Sequence, residues 1–155
     1  MRGLLIDLDH AIEGAQAQLR EAGVAERVTV LAGDFFAPLP GPVDVVLLKS
    51  VLHDWNDDAA GRILQRACAA LATDGRVLVI ERVMPDRVED LPAHRTTVRS
   101  DLNMLVGLGG RERTLADYDA LLSSAGLSLR RTLPAAAAFS VIEAHVRPAG
   151  DAGSS

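Results

Sequence analysis

Aromatic residues are scarce in this sequence. One Trp, one Tyr and three Phe make up 3% of its 155 residues, too few to stack successive bases. None alternates with the densest basic stretch, Arg111, Arg113, Arg130 and Arg131, and the net charge is −5. No nucleic-acid partner is expected. Long apolar runs are missing too: none reaches the roughly 20 residues that cross a bilayer, so no membrane partner is expected. Met1-Arg2-Gly3-Leu4 runs straight into a strand-like segment without the three-part layout of a signal peptide, which reads as a cytoplasmic protein. The single cysteine, Cys68, has no second cysteine to pair with and sits among Ala67, Ala69 and Ala70 on an apparent helix. It reads as a packing residue. Metal-ligand spacing is absent: there is no His-x-x-x-His or Cys-x-x-Cys pair, and Asp101-Leu102-Asn103 has the wrong period to converge on one helical face. A Gly-x-Ser-x-Gly elbow, the mark of one large hydrolase class, is also lacking.

What is present alternates between strand and helix signals. Gly3-Leu4-Leu5-Ile6-Asp7 is a short apolar run ending in an acid. Ile12, Ala15, Leu19 and Ala22 recur at helical spacing between His10 and Ala22, and Gly23 closes that helix. Arg27 to Leu31 is a β-branched strand, and residues Asp34 to Pro42 form a proline-punctuated loop. Val43 to Leu48 is apolar on both faces, as a central parallel strand is. Asn56 or Asp57 caps a helix reaching to about Ala72, and Gly75 turns the chain into the strand Arg76 to Glu81. Met84 to Pro92 reads as an exposed connection, followed by helices from Arg95 to Val106 and, capped by Thr114, from Leu115 to Ala125. Strands near Leu127 to Thr132 and Phe139 to Val146 end the pattern. Residues 1–147 read as one domain and 148–155 as a disordered tail. The order describes an α/β sheet with helices on both faces and a C-terminal antiparallel strand pair.

Open parallel sheets bind ligands beyond the carboxyl ends of their strands. Asp7, Asp34, Lys49, His53 and Glu81 all fall there. Asp7 can accept hydrogen bonds from the ribose hydroxyls of a nucleoside or serve as a turn carboxylate. Asp34, in Gly33-Asp34-Phe35-Phe36, can read an adenine edge beneath a Phe or stabilise a plain turn. Lys49 can face a ligand or simply reach solvent.

Four stretches together are specific. Asp44-Val45-Val46-Leu47-Leu48-Lys49-Ser50-Val51-Leu52-His53-Asp54-Trp55 resembles the S-adenosylmethionine-dependent small-molecule O-methyltransferases related to plant caffeic acid and bacterial natural-product enzymes. So do Gly33-Asp34-Phe35-Phe36, Val79-Ile80-Glu81 and Gly109-Gly110-Arg111-Glu112-Arg113-Thr114, in matching order and spacing from about Met1 to His145. The resemblance implies a Rossmann-like methyltransferase sheet and S-adenosyl-L-methionine as cofactor. It also implies a small hydroxylated, aromatic acceptor. Residue by residue, it implies that Asp7 holds the ribose, that Asp34 and Phe35 contact the adenosine, and that Lys49 lies near the cofactor. His53 matches the general base, Glu81 and Glu112 the acids flanking it, and Met104 a residue lining the acceptor pocket.

The case for His53 also stands on chemistry. Methyl transfer from a sulfonium needs the acceptor oxygen aligned and deprotonated. A phenol near pKa 10 and an imidazole near 6.5 differ enough that full proton transfer before attack costs about 5 kcal/mol. A carboxylate on the other ring nitrogen orients the imidazole and stabilises its charged form, and either Glu81 or Glu112 can supply it.

One part of the family pattern has no counterpart. The family's first strand and Gly-rich turn, which meet the methionine end of the cofactor, would precede Gly3, and no Gly-x-Gly-x-x-Gly occurs in the sequence. The helical region through which relatives form homodimers and cover the substrate is likewise unmatched. The sequence is therefore expected to be the C-terminal catalytic portion of such an enzyme. Leu4–Asp7 and Val43–Leu48 are then expected to leave an unpaired edge or a gap between them. The alternative is a catalytically silent remnant, or an interaction module completing its sheet with a partner.

Overall fold

The computed structural model describes residues 1–107 and 110–148. Leu108 and Gly109, the latter part of the double glycine, lie outside the described residues, as does the tail from Ala149 onward. The chain divides into two compact units, Met1–Leu39 and the remainder from Pro40.

In the first unit, strands β1 (Gly3–Asp7) and β2 (Val28–Ala32) pair in parallel, Gly3 opposite Val28 and Asp7 opposite Ala32. The single helix expected from His10 to Ala22 is in fact two, α1 (Asp9–Ile12) and α2 (Ala15–Glu21), broken at Gly14. Glycine's backbone freedom makes it a weak link in a helix, and the four-residue α1 lacks a side-chain cap. Gly23, at φ +67°, ends α2 as expected.

The second unit holds the remaining sheet, in the order β3-β4-β7-β6: β3 (Val43–Lys49), β4 (Leu71–Met84), β7 (Phe139–Val146) and β6 (Leu127–Pro134). β3 and β4 run parallel, and β7 is antiparallel to both β4 and β6. β4 is longer than the Arg76–Glu81 core expected for it. Its register against β3 jumps from Leu71 opposite Val43 to Arg76 opposite Val45, so residues 72–75 bow out at Gly75. Two-residue β5 (Arg113–Thr114) joins the far end of β4 at Val83 and Met84. β1 pairs with β2 within the first unit, and β3 with β4 within the second.

Helix α3 (Asp57–Ala70) is capped by Asn56, whose Oδ1 accepts the Ala59 N–H at 2.9 Å. It buries Ala60, Ile63, Leu64 and Ala67. Helix α5 (Leu115–Ser124) starts with a reciprocal capping box between Thr114 and Asp117 and buries Tyr118, Leu121 and Leu122. With Val77, Val79, Ile142 and Ala144 these make the core. A fully buried leucine such as Leu64 contributes roughly 2 kcal/mol. Helix α4 (Pro92–Gly107) is more exposed, with Leu102 and Val106 facing solvent. Cys68 is half-buried, and burial pushes its thiol pKa up.

Candidate active site

The site is built where β3 ends. Lys49 is the last residue of β3, and Ser50 then adopts φ +54°, a left-handed conformation costly for a residue with a Cβ. The reversal is held by the Ser50 N–H donating to Ile80 O at 3.1 Å and by two further donors. The Val51 and Leu52 N–H groups both donate to Glu81 Oε1, each at 2.9 Å. A 3₁₀ turn, Leu52–Asp54, follows and carries His53. Glu81, at the carboxyl end of the central strand, is fully buried. One of its oxygens shapes the turn and the other addresses the ring on that turn: Oε2 lies 3.0 Å from His53 Nδ1. The approach is off the line of a well-directed hydrogen bond, so the pair is a close electrostatic contact.

Glu112 arrives from the segment before β5 and is also buried, its Oε1 3.8 Å from the same nitrogen. It is placed by its backbone, because the Glu112 N–H donates to Asp101 Oδ1 on α4 at 2.9 Å. The other ring nitrogen, Nε2, sits 3.2 Å from Asp54 Oδ1. The contact with Glu81 raises the His53 pKa above its ordinary value; burial opposes this, and the charges of Glu81, Asp54 and Glu112 add to it. Burial raises the Glu112 pKa more than Ser100 and the imidazole lower it. Asp54 is raised as well, chiefly by burial. The imidazole therefore holds a proton more readily than a free histidine, its charged form stabilised chiefly by Glu81.

Sequence reasoning missed the residue beneath this arrangement. Arg113, read as one member of a scattered basic stretch, is fully buried. Its Nη1 donates to Leu52 O and its Nη2 to Trp55 O, each at 2.7 Å, while Nε and Nη2 reach Asp57 Oδ1 at 3.0 and 2.8 Å. Gly110 presses on the same turn from another side: a Cβ there would lie 1.9 Å from His53 O. The available signal was the run Gly110-Arg111-Glu112-Arg113 itself, in which a glycine and a buried cation flank an acid already assigned a role.

The other expected residues fall as follows. Asp7 ends β1 with an exposed carboxylate, whose Oδ1 accepts the Leu8 N–H at 2.8 Å. Asp34 is exposed as well, and its Oδ1 accepts the Phe36 N–H at 2.8 Å. The Gly33 N–H donates to Asp7 O at 3.0 Å, so both acids stand at neighbouring strand ends within the first unit. Phe35 is half-buried and tilted against Phe36, ring centroids 5.2 Å apart. In the second unit the Lys49 ammonium lies 5.7 Å from the Phe139 ring centroid, and the Arg82 guanidinium 4.5 Å from it. Met104 is half-buried on α4. His53, Glu81 and Glu112 are thus brought together. Among the described residues no cluster of metal-ligating side chains occurs, and no helix is long and apolar enough to cross a membrane.

The sequence profile of the O-methyltransferase domain matches residues 1–128. The chain belongs to that family. It is 44% identical over 146 residues to the O-demethylpuromycin-O-methyltransferase of Streptomyces alboniger, covering 93% of this chain and 39% of that protein. The aclacinomycin 10-hydroxylase of Streptomyces purpurascens is 45% identical over 130 residues, or 83% of this chain and 34% of the hydroxylase. Among solved structures, an O-methyltransferase of neocarzinostatin biosynthesis superposes with a TM-score of 0.82 at 35% identity, covering 94% of this chain and 42% of that one. It was crystallised with S-adenosyl-L-homocysteine and 1,4-dihydroxy-2-naphthoic acid. This member of the O-methyltransferase family therefore spans about two fifths of the length of the relatives it matches.

Proposed function

We propose that this chain is the catalytic portion, residues 1–147, of an S-adenosyl-L-methionine-dependent O-methyltransferase acting on a hydroxyl of a small aromatic metabolite, with His53 as its base. The observation that carries the reading is the buried imidazole held 3.0 Å from Glu81 Oε2, with Glu112 at 3.8 Å. A histidine in such surroundings is built to gain a proton.

The residues at the strand ends suit the cofactor. Exposed carboxylates at Asp7 and Asp34 offer acceptors for ribose hydroxyls and an adenine amino group, and Phe35 offers an apolar surface beside them. In the second unit, Lys49 at the end of β3 is proposed for the cofactor and Met104 on α4 for the acceptor, both from the family pattern. When bound, the cofactor supplies an electrophilic methyl group. The protein's own part is proton management. His53 Nε2, 3.2 Å from Asp54 Oδ1, takes the acceptor hydroxyl proton. Glu81, and Glu112 behind it, then stabilise the imidazolium through Nδ1.

The test is transfer of labelled methyl from S-adenosyl-L-methionine to a panel of hydroxylated naphthoates, with His53→Gln as the variant. Loss of the base is expected to lower kcat about 10²–10⁴-fold; turnover at the wild-type rate would remove His53 from the role. The 45% identity to a hydroxylase supports a second reading, in which the fold and cofactor are kept for different chemistry. Incorporation of oxygen into the acceptor without label transfer would favour it.

A further inference from the structure

We infer that Arg113 is a positioning residue for His53: its buried guanidinium clamps the backbone on both sides of the histidine and so sets the ring against Glu81. The four donor contacts are unequal in purpose. Those to Leu52 O and Trp55 O, 2.7 Å each, close on the carbonyls that bracket the turn. The two to Asp57 Oδ1 anchor the guanidinium to the first turn of α3. Only a planar fork of fixed donors reaches all three acceptors at once, which a lysine ammonium does not reproduce. Burial adds the reason for permanence. A fully covered guanidinium has no water to fall back on, so leaving Leu52 O and Trp55 O would strand a desolvated charge.

Covalent connection tightens the arrangement. Arg113 follows Glu112 directly, and its own backbone is pinned to Val83 at the end of the strand that carries Glu81. One short ladder therefore indexes both acids and the clamp to β4. Gly110 backs the turn at His53 O and Asp54, where no side chain fits. The backbone of the histidine turn is thus held on several sides, by Arg113, Gly110 and Glu81.

The inference rests on the reading of His53 as the base, yet it is tested on the free chain without cofactor or acceptor. The groups facing the imidazole are Glu81 from β4, Asp54 from its own turn and Glu112 from the segment before β5. Arg82 stands beside Glu112, and Tyr118 of α5 lies near Glu81 and Arg113. The measurement is a histidine-ring NMR titration of the full chain, with the His53 signals assigned through His53→Gln. Arg113→Met removes a cation, and simple electrostatics predicts that the imidazole then binds its proton more tightly. Loss of the clamp predicts the opposite, because the ring leaves Glu81. The expected result is a midpoint lowered by about half a pH unit or more, toward the free-histidine value near 6.5. Arg113→Lys keeps the charge, so electrostatics alone predicts no change and the clamp predicts a smaller fall. This variant decides the matter should Arg113→Met not fold. A folded variant with an unchanged or raised midpoint overturns the inference. A lowered midpoint alongside undiminished methyl transfer by His53→Gln would retain the clamp and remove the base.

Discussion

Two glycines in the second unit make opposite demands on a side chain. At Gly110 an added Cβ would fall 1.9 Å from His53 O and 2.6 Å from the Asp54 carbonyl carbon. Backbone atoms cannot rotate aside, so the turn must shift. Gly61, buried within α3, has Leu121 Cδ1 and Ser124 Oγ at 3.9 Å, an ordinary contact distance. Gly110→Ala is expected to cost about 2 kcal/mol or more by overpacking and to change the His53 ring signals. Gly61→Ala should stabilise the chain by roughly 0.5–1 kcal/mol through helix propensity. Urea denaturation of both variants checks the pair; equal effects would contradict the close approach at Gly110. Sequence reading reached His53, Glu81 and Glu112 because their residue types and spacing match a family pattern. Arg113 was hidden because a cation in a polar stretch looks the same whether it faces water or supports a turn. Gly110 was visible as a glycine, but not the carbonyl pressed against it.

At the scale of elements, three strands are tied by one carboxylate. Glu143 of β7 accepts from Arg131 Nε on β6 at 2.7 Å, lies 2.9 Å from His145 Nε2 and 3.5 Å from Arg76 Nη1 on β4. The His145 contact first, then Arg131, lowers its pKa to about 2. A glutamate in the unfolded chain titrates near 4.3. The folded form therefore holds its proton less tightly, and the stabilisation is present above about 4.5 and lost as pH falls toward 2. Glu143→Gln is expected to lower stability at neutral pH, with the gap from wild type closing through that acid window. Thermal melts across pH 2–7 measure it, and a gap independent of pH would contradict the account. Strand and helix order along the chain was legible from alternation and caps: Asn56, Thr114 and Gly23 all end or start elements where expected. The break at Gly14 and the bow at residues 72–75 were not. Each depends on competition between local propensity and pairing geometry, which periodicity alone does not weigh.

At the scale of the molecule, the two units differ in what protects their backbones. β1 and β2 form a two-stranded ladder, and no residue of the unit Met1–Leu39 is fully buried. β4 and β7 lie inside a larger sheet, with Val77, Val79, Ile142 and Ala144 at 0% exposure. Two-stranded ladders are marginal by themselves, so hydrogen exchange should be graded. Amides of β1 and β2 are expected to exchange about 100-fold faster or more than those of Val79 and Ile142, read by exchange NMR. Equal protection in both would show a single cooperative unit. The segment from Gly110 to Thr114 has a further implication. Within five residues the segment abuts the His53 carbonyl at Gly110, places an acid beside an imidazole, grips two carbonyls through the Arg113 side chain and begins the capping box with Asp117. Such a stretch works as a ruler with every graduation in use. Lengthening or shortening it by one residue would throw several fittings out of step together, whereas the exposed connection at residues 86–91 can change length with little consequence for the base.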